Sequence, residues 1–362
     1  MIRLSSRLPD FPWDSLRAAR ELAAAHPDGI VDLSVGTPVD PVPTLARKAL
    51  ADASDAHGYP TVWGTPELRR AIQDYFERRW RSVPLTERHV LPVIGTKELV
   101  AWLPSLLGLG PDHSVVYPSL AYPTYEVGAL TAGAKPVALD TPEQAPKDTA
   151  LIWVNSPSNP TGRIAAVSEL RAWVEVARQR GAVLASDECY GELGWEEEPV
   201  SVLDPRVNDG DLIGLLAVSS LSKRSNAAGY RMGMVVGDPD LVMELVGSRK
   251  HLGMMVPTPV QAAMTALLAD QEHVEQQRGR YLARRAKLLP ALQAAGFRIE
   301  HSQGSLYLWA TRDEPCRDSL TWLAERGILV APGDFYGSQR HVRVALTATD
   351  ERIQAAAARL LG

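Results

Sequence analysis

From about residue 90 the chain repeats one pattern: an apolar run, a polar or glycine turn, then a helical stretch. VLPVIG is followed by TKELVAWLPSLLG, SVVYP by PTYEVGALTAG, and ALIWVNSP by VSELRAWVEVARQRG. KPVALD, AVLASDE, DLIGLLAVSSLS and MGMVVGD read as further strands. A strand wetted on one face alternates apolar and polar residues; these runs are apolar nearly throughout, as strands covered on both faces are. The fold class that follows is α/β, with a mostly parallel sheet between helices. Ligands bind such sheets beyond the carboxyl ends of the strands. Five of those ends carry unusual polar groups here: Gly95 and Thr96, Tyr117 to Tyr122, Asn155 to Gly162, Asp187 to Tyr190, and Ser219 to Arg231.

The flanks read differently. Residues 1–40 are proline-rich, with a helix expected over Asp14–Ala25 capped by Asp14 or Ser15. Residues 44–55 and 66–81 read as helices with Thr or Thr-Pro start signals, joined by HGYPTVWG, which carries Tyr59 and Trp63. The helix over VSELRAWVEVARQRG has Ser168 as its expected cap and Gly181 as its stop. After Pro257 a helical stretch runs to about Ala295, followed by short strands, a helix near 316–326 and a last helix from Asp350. The division expected is an arm over 1–43 that joins a small domain, a large domain over 44–256, and a small α+β domain over 257–362.

Composition narrows the partners. A net charge of -5 does not favour nucleic acid or an anionic membrane surface. The N-terminal residues lack the apolar core of a signal peptide, and no apolar run is long enough to span a bilayer. Cys189 and Cys316 form neither a disulfide framework nor a metal pattern, and the eight histidines show no ligand spacing. The expected location is cytoplasmic, with small molecules as partners and no metal. Glu196 to Glu198, the one charge run, reads as a solvated loop.

The chemistry centres on SSLSKRSNAAGYRMG, residues 219–233, which leaves a buried strand. Lys223 can form a Schiff base with a carbonyl compound. Arg231, between Gly229 and Gly233, can grip a phosphate with two parallel donors. An aldehyde for the lysine and a phosphate for the arginine together suggest pyridoxal phosphate; a surface Lys–Arg loop is the plainer alternative. Asp187 and Glu188 end an apolar strand, where a carboxylate is costly unless paired. A pyridinium would pair with Asp187, which otherwise caps the next turn. NSPSNPTG, residues 155–162, is a tight turn by composition but sits at a strand end.

With these segments in order, the chain resembles the pyridoxal-phosphate aminotransferases of fold type I, class I/II. GYPTVWGTPELRRAI, NSPSNPTG, SDECYGELGW, SLSKRSNAAGYRMG and HVRVAL carry the likeness across nearly the whole length. The resemblance implies a large domain with a seven-stranded-type sheet and a smaller α+β domain. It implies that Lys223 holds the cofactor as a Schiff base and moves the substrate proton, and that Asp187 pairs with the pyridine nitrogen. Asn159 and Tyr190 match the donors to the ring hydroxylate, and Tyr122 the aromatic stacked on the ring, or else a core residue. Gly95, Thr96 and Lys97 at a helix start, Ser220, Ser222 and Arg231 match the phosphate site. Tyr59 matches a tyrosine that reaches the neighbouring subunit's phosphate, so a homodimer is implied. Arg343 matches the substrate carboxylate clamp, where an arginine among valines is otherwise a surface strand residue, and Gly36 a glycine beside the substrate. Ser156, Ser158 and Tyr230 depart from the commoner residues without touching a required role.

LPDFPWDSL, DLSVGTPVDPVP, VIGTKELVAWLPSLLGLG, RKHLGMMVPTPVQAAM and VALTATDERI are similar to the N-succinyldiaminopimelate aminotransferase group of lysine and diaminopimelate biosynthesis. That group moves an amino group between glutamate and N-succinyl-2-amino-6-oxopimelate. Both substrates are polyanions, so Lys97, Arg224, Arg249, Lys250 and His251 become candidates for distal groups. A carbon–sulfur β-lyase would use the same lysine and aspartate, and aspartate or aromatic substrates stay open. A ligand-sensing regulator would add a DNA-binding segment, and no basic helix-turn-helix candidate is present. A nicotinamide dehydrogenase is disfavoured because no G-x-G-x-x-G follows the first sheet strand.

Overall fold

The computed structural model describes residues 4–362, apart from the side chain of Arg7, so the arm expected over 1–43 is seen from residue 4. Its strands in chain order are β1 (Val31–Asp32), β2 (Val90–Ile94), β3 (Ser114–Tyr117), β4 (Lys135–Ala138), β5 (Thr149–Asn155), β6 (Val183–Asp187) and β7 (Leu215–Ser220). They continue with β8 (Met232–Gly237), β9 (Arg298–Glu300), β10 (Tyr307–Thr311), β11 (Ile328–Leu329), β12 (Ala331–Pro332) and β13 (Val342–Ala345).

Seven strands form the large sheet in the order β2-β8-β7-β6-β5-β3-β4. Only β8 runs against its two neighbours, so the mostly parallel sheet expected from the apolar runs is what forms. The pleat sends alternate residues to opposite faces. Val90, Ile152, Val154, Leu184 and Ala217 join one core, beneath the helices Pro66–Trp80 and Val167–Arg180. Leu91, Val93, Leu151, Trp153 and Val218 join the other, beneath the helices Thr96–Leu106 and Thr124–Ala132. Apart from the edge strand β4, whose residues are exposed or half-buried, each strand is buried on both sides, which is why its sequence does not alternate.

The smaller core gathers the antiparallel sheet β12-β13-β10-β9, the helix Cys316–Ala324, the last helix Asp350–Leu361 and the arm. Leu16, Ala23, Val31 and Leu33 of the arm are buried in it, and β1 pairs parallel with β11. The stretch after Pro257 is two helices, Thr258–Ala269 and Glu272–Ala294. The first buries Ala263, Met264, Leu267 and Leu268 in the large-domain core. We therefore propose the domain division near residue 270 rather than 257.

Helix starts depart from the sequence reading in three places. The arm forms a 3-10 turn, Pro12–Leu16, before the helix Arg17–Ala24, and neither Asp14 nor Ser15 caps it; Ser15 Oγ donates to the Pro12 carbonyl at 2.8 Å instead. Ala166, not Ser168, precedes the helix Val167–Arg180, although Gly181 does end it in the left-handed conformation. Thr65 caps the helix Pro66–Trp80 by accepting from Leu68 N, whereas Thr44 lies inside its helix behind Pro43.

Candidate active site

The carboxyl ends of β2, β5, β6 and β7 meet the small domain around a cavity of about 540 Å³. β7 ends at Ser220, and one helical turn, Leu221–Arg224, presents Lys223. β6 ends at Asp187, and Asn155 at the end of β5 stitches the two ends by donating to the Asp187 carbonyl at 2.8 Å. The same side chain accepts from Asn159 N at 2.7 Å, which fixes the loop carrying Asn159. β13 brings Arg343 in from the small domain.

Of the residues expected from the sequence, Gly36, Thr96, Lys97, Tyr122, Asn159, Asp187 and Tyr190 line this cavity. Ser220, Ser222, Lys223, Arg231 and Arg343 line it as well. Gly95 stands behind Arg231, and at φ +74° a Cβ there would collide with the guanidinium. Tyr59 is not brought in: it is 98% exposed on its loop.

Lys223 Nζ donates to the Gly36 carbonyl. Burial lowers its pKa, with the positive charges of Arg343 and Arg231 adding to the shift while Tyr307 and Cys189 oppose it. A larger neutral fraction suits a nucleophile or base. Asp187 accepts from Tyr125 Oη at 2.7 Å and from Cys189 N at 3.2 Å. Burial raises its pKa against those hydrogen bonds, and no cationic side chain among the described residues pairs with it.

Arg343 is buried and donates to Asn159 Oδ1 and to the Ser34 carbonyl, both at 2.8 Å. The Tyr307 and Tyr336 rings flank its guanidinium at 4.0 and 4.6 Å, and its Nε has no partner. No carboxylate among the described residues neutralises it, so it offers a charged, two-pronged donor to an incoming anion. At the other side, Gly95 precedes the helix Thr96–Leu106, whose first amides and dipole favour an anion beside Lys97 and Arg231. Burial lowers the Lys97 pKa, and Arg231 adds to this.

Tyr307 and Tyr125 escaped the sequence reading. Tyr307 Oη lies 2.8 Å from Tyr190 Oη, its ring packs on Arg343, and its hydroxyl fills the space a Cβ at Gly36 would take. In SLYLWAT it reads as one more apolar strand residue; only the inward phase of β10 hints at it. Tyr125 is fully buried and stacks on Trp153, 5.1 Å between centroids. Phe11 and Trp13 from the arm also reach the cavity.

Residues 28–360 match the family model for aminotransferases of class I and II. The chain belongs to this family. It is 62% identical over 99% of its length to a probable aminotransferase of Mycobacterium tuberculosis, of which it covers 86%. It is 56% identical to the 4-dedimethylamino-4-oxo-anhydrotetracycline transaminase OxyQ of Streptomyces rimosus, covering 98% of this chain and 99% of that one. Among solved structures, a mutant aspartate aminotransferase of Thermus thermophilus superposes with a TM-score of 0.88 at 25% identity, over 100% of this chain and 98% of that one. The fold is thus that of the fold type I aminotransferases, a seven-stranded mixed sheet with a small domain.

The family implies pyridoxal phosphate, and this aminotransferase's residues suit it. The buried Asp187 carboxylate lacks the cation that a protonated pyridine nitrogen would supply. The helix start at Thr96, with Arg231 and Lys97 beside it, is an anion cradle of the kind a phosphate needs.

Proposed function

We propose that this class I/II aminotransferase exchanges an amino group between glutamate and N-succinyl-2-amino-6-oxopimelate. The observation that carries the substrate reading is Lys97: it faces the same cavity as Arg343 and has no carboxylate partner among the described residues. A distal carboxylate would neutralise it when the phosphate leaves it free. The other proposed cations do not compete for that role. Arg224 pairs with Glu192, Arg249 pairs with Glu98, and Lys250 and His251 are exposed away from the cavity lining. A relative from Aquifex aeolicus, 31% identical over 99% of this chain, is named LL-diaminopimelate aminotransferase, which supports a related substrate class.

When bound, pyridoxal phosphate supplies an electron-withdrawing ring that stabilises negative charge at the substrate Cα. In the proposed assignment Lys223 would hold the cofactor, and its Nζ would be the base that moves the substrate Cα proton. Asp187 holds the positive charge of the pyridine nitrogen in place. Asn159 has its oxygen engaged by Arg343, so its amide nitrogen is the group left to donate toward the ring oxygen, together with Tyr190. Tyr122 would pack against the cofactor, and Thr96, Ser220, Ser222 and Arg231 would hold its phosphate. Arg343 would bind and orient the substrate carboxylate.

A single-turnover panel of amines followed by 2-oxo acids tests this. N-succinyl-diaminopimelate should convert the bound cofactor fastest, and 2-oxoglutarate should restore it. Preference for an oxo-anhydrotetracycline would move the reading toward the function for which OxyQ is named. Release of pyruvate from cystathionine without an oxo acid would move it to the β-lyase.

A further inference from the structure

Behind the cavity, the loop that follows Lys223 is held by one stripe of the helix Glu272–Ala294. The single helical turn that carries Lys223 cannot hold itself, because one turn costs more chain entropy than its hydrogen bond returns. Its position must come from tertiary contacts. The next residue but one, Ser225, is fully buried, and its Oγ lies 2.8 Å from His273 Nε2. His273 Nδ1 lies 2.6 Å from Asp270 Oδ2, and the His273 amide donates to the same oxygen at 3.0 Å. Nδ1–H donates to the carboxylate, so in the neutral ring Nε2 is left to accept from the Ser225 hydroxyl.

Asn226 follows in the left-handed conformation at φ 51°. Its Nδ2 donates to Gln277 Oε1 at 2.8 Å, and its Oδ1 accepts from Tyr281 at 3.3 Å. Gln277 Nε2 donates to Asp40 at 2.7 Å, and Arg284 pairs with Asp40 at 2.6 Å. Residues 273, 277, 281 and 284 share one helix face. That face therefore grips the lysine loop and also the segment after Gly36, whose carbonyl receives the Lys223 amine.

We propose that His273 is a positioning residue for Lys223, acting through the Ser225 hydroxyl with Asp270 fixing its tautomer. Ser225, being fully buried, is no nucleophile for an outside substrate, so the Ser–His–Asp chain is a brace and not a hydrolytic site. Arg224 lies beside it with Nε and Nη2 unpartnered, the negative charges of Asp270 and Glu192 act the other way, and burial joins Arg224 in favouring the neutral imidazole. The role rests on Lys223 being the cofactor lysine.

The test uses the full-length holoenzyme with His273→Ala, Ser225→Ala, His273→Gln and the double alanine variant. Each single alanine should lower kcat about tenfold with KM for glutamate nearly unchanged, the loss expected from a small misplacement of the reacting group. Each should also move the pH midpoint of the bound cofactor's visible absorbance by about half a unit or more, because Lys223 then sits in a changed field. The double variant should lose no more than either single one, since both delete one bond. His273→Gln, whose amide oxygen can accept from Ser225, should recover most of kcat. Ser225→Ala removes a single oxygen and stands in if His273→Ala does not fold. In the apoprotein, the rate at which an amine reagent labels Lys223 should change in the same variants. Alanine variants that lower only the melting temperature, with midpoint and labelling rate as in the wild type, would overturn the proposal. A wild type that takes up no pyridoxal phosphate would instead refute the cofactor reading, and the labelling rates would still decide the brace.

Discussion

Arg343 is held between two tyrosine rings with two of its donors engaged and its Nε free. A lysine cannot present the planar fork, and its ammonium cannot reach Asn159, the Ser34 carbonyl and a carboxylate together. Arg343→Lys should therefore lower kcat/KM for every amino acid substrate, by about 1.5–3 kcal/mol of binding or about tenfold to hundredfold. Steady-state kinetics check this, and an unchanged KM would remove Arg343 from the carboxylate site. Glu188 gives a second test. It is buried beside Asp187; its Oε1 accepts from Val202 N at 2.8 Å and its Oε2 has no partner. Burial pushes its pKa up to about 7 from an ordinary 4.5, against the Val202 hydrogen bond. Between those values the folded state binds more protons than the unfolded one. The stability this group contributes is thus full below pH 4.5 and lost as pH rises through about 7, by up to about 3 kcal/mol. Glu188→Gln should flatten that decline. Urea titrations at pH 5 and pH 8 measure it, and an equal difference in both proteins would refute it.

At the scale of elements, the strands of the large sheet other than the edge strand β4 were legible because burial on both faces leaves continuous apolar runs, and those runs survive any choice of neighbour. Gly181 was legible for a local reason, since a helix ending in the left-handed conformation favours glycine. Helix starts were less so. Ser168 and Ala166 are both compatible with the periodicity of their helix, and packing against the sheet chose the earlier start. The break at Asp270 was hidden because both flanking segments are helical; it appears when Met264 and Leu267 turn to the large core and Tyr281 and Leu288 to the small one. Gly95 combines both kinds of information. Its positive φ can be suspected from the turn, but the Arg231 guanidinium that occupies its missing Cβ comes from residues far along the chain.

At the scale of the whole molecule, Tyr59 is the residue the monomer leaves unexplained. A tyrosine 98% exposed on a loop does nothing for this chain's own cavity. We propose a homodimer in which it reaches the neighbouring subunit's phosphate. Sedimentation should show a dimer, and Tyr59→Phe should weaken cofactor retention about tenfold, the worth of a hydrogen bond to a charged group. A monomer that keeps its cofactor as well as the family's dimers do would defeat this. No helix among the described residues is long and apolar enough to cross a membrane. The sequence alone located the strand ends and the polar groups beside them: Asp187, Asn159 and Lys223 lie at or just past the end of an apolar run and Arg231 just before the start of one, and short-range periodicity reports that directly. Only the tertiary structure decided the partners. Tyr307 against Tyr190, Tyr125 against Asp187 and His273 against Ser225 join residues 117, 62 and 48 positions apart. Local burial patterns say that such a side chain faces inward. Which polar atom it meets there is set by how the helices and the small sheet pack, and no short-range pattern carries that.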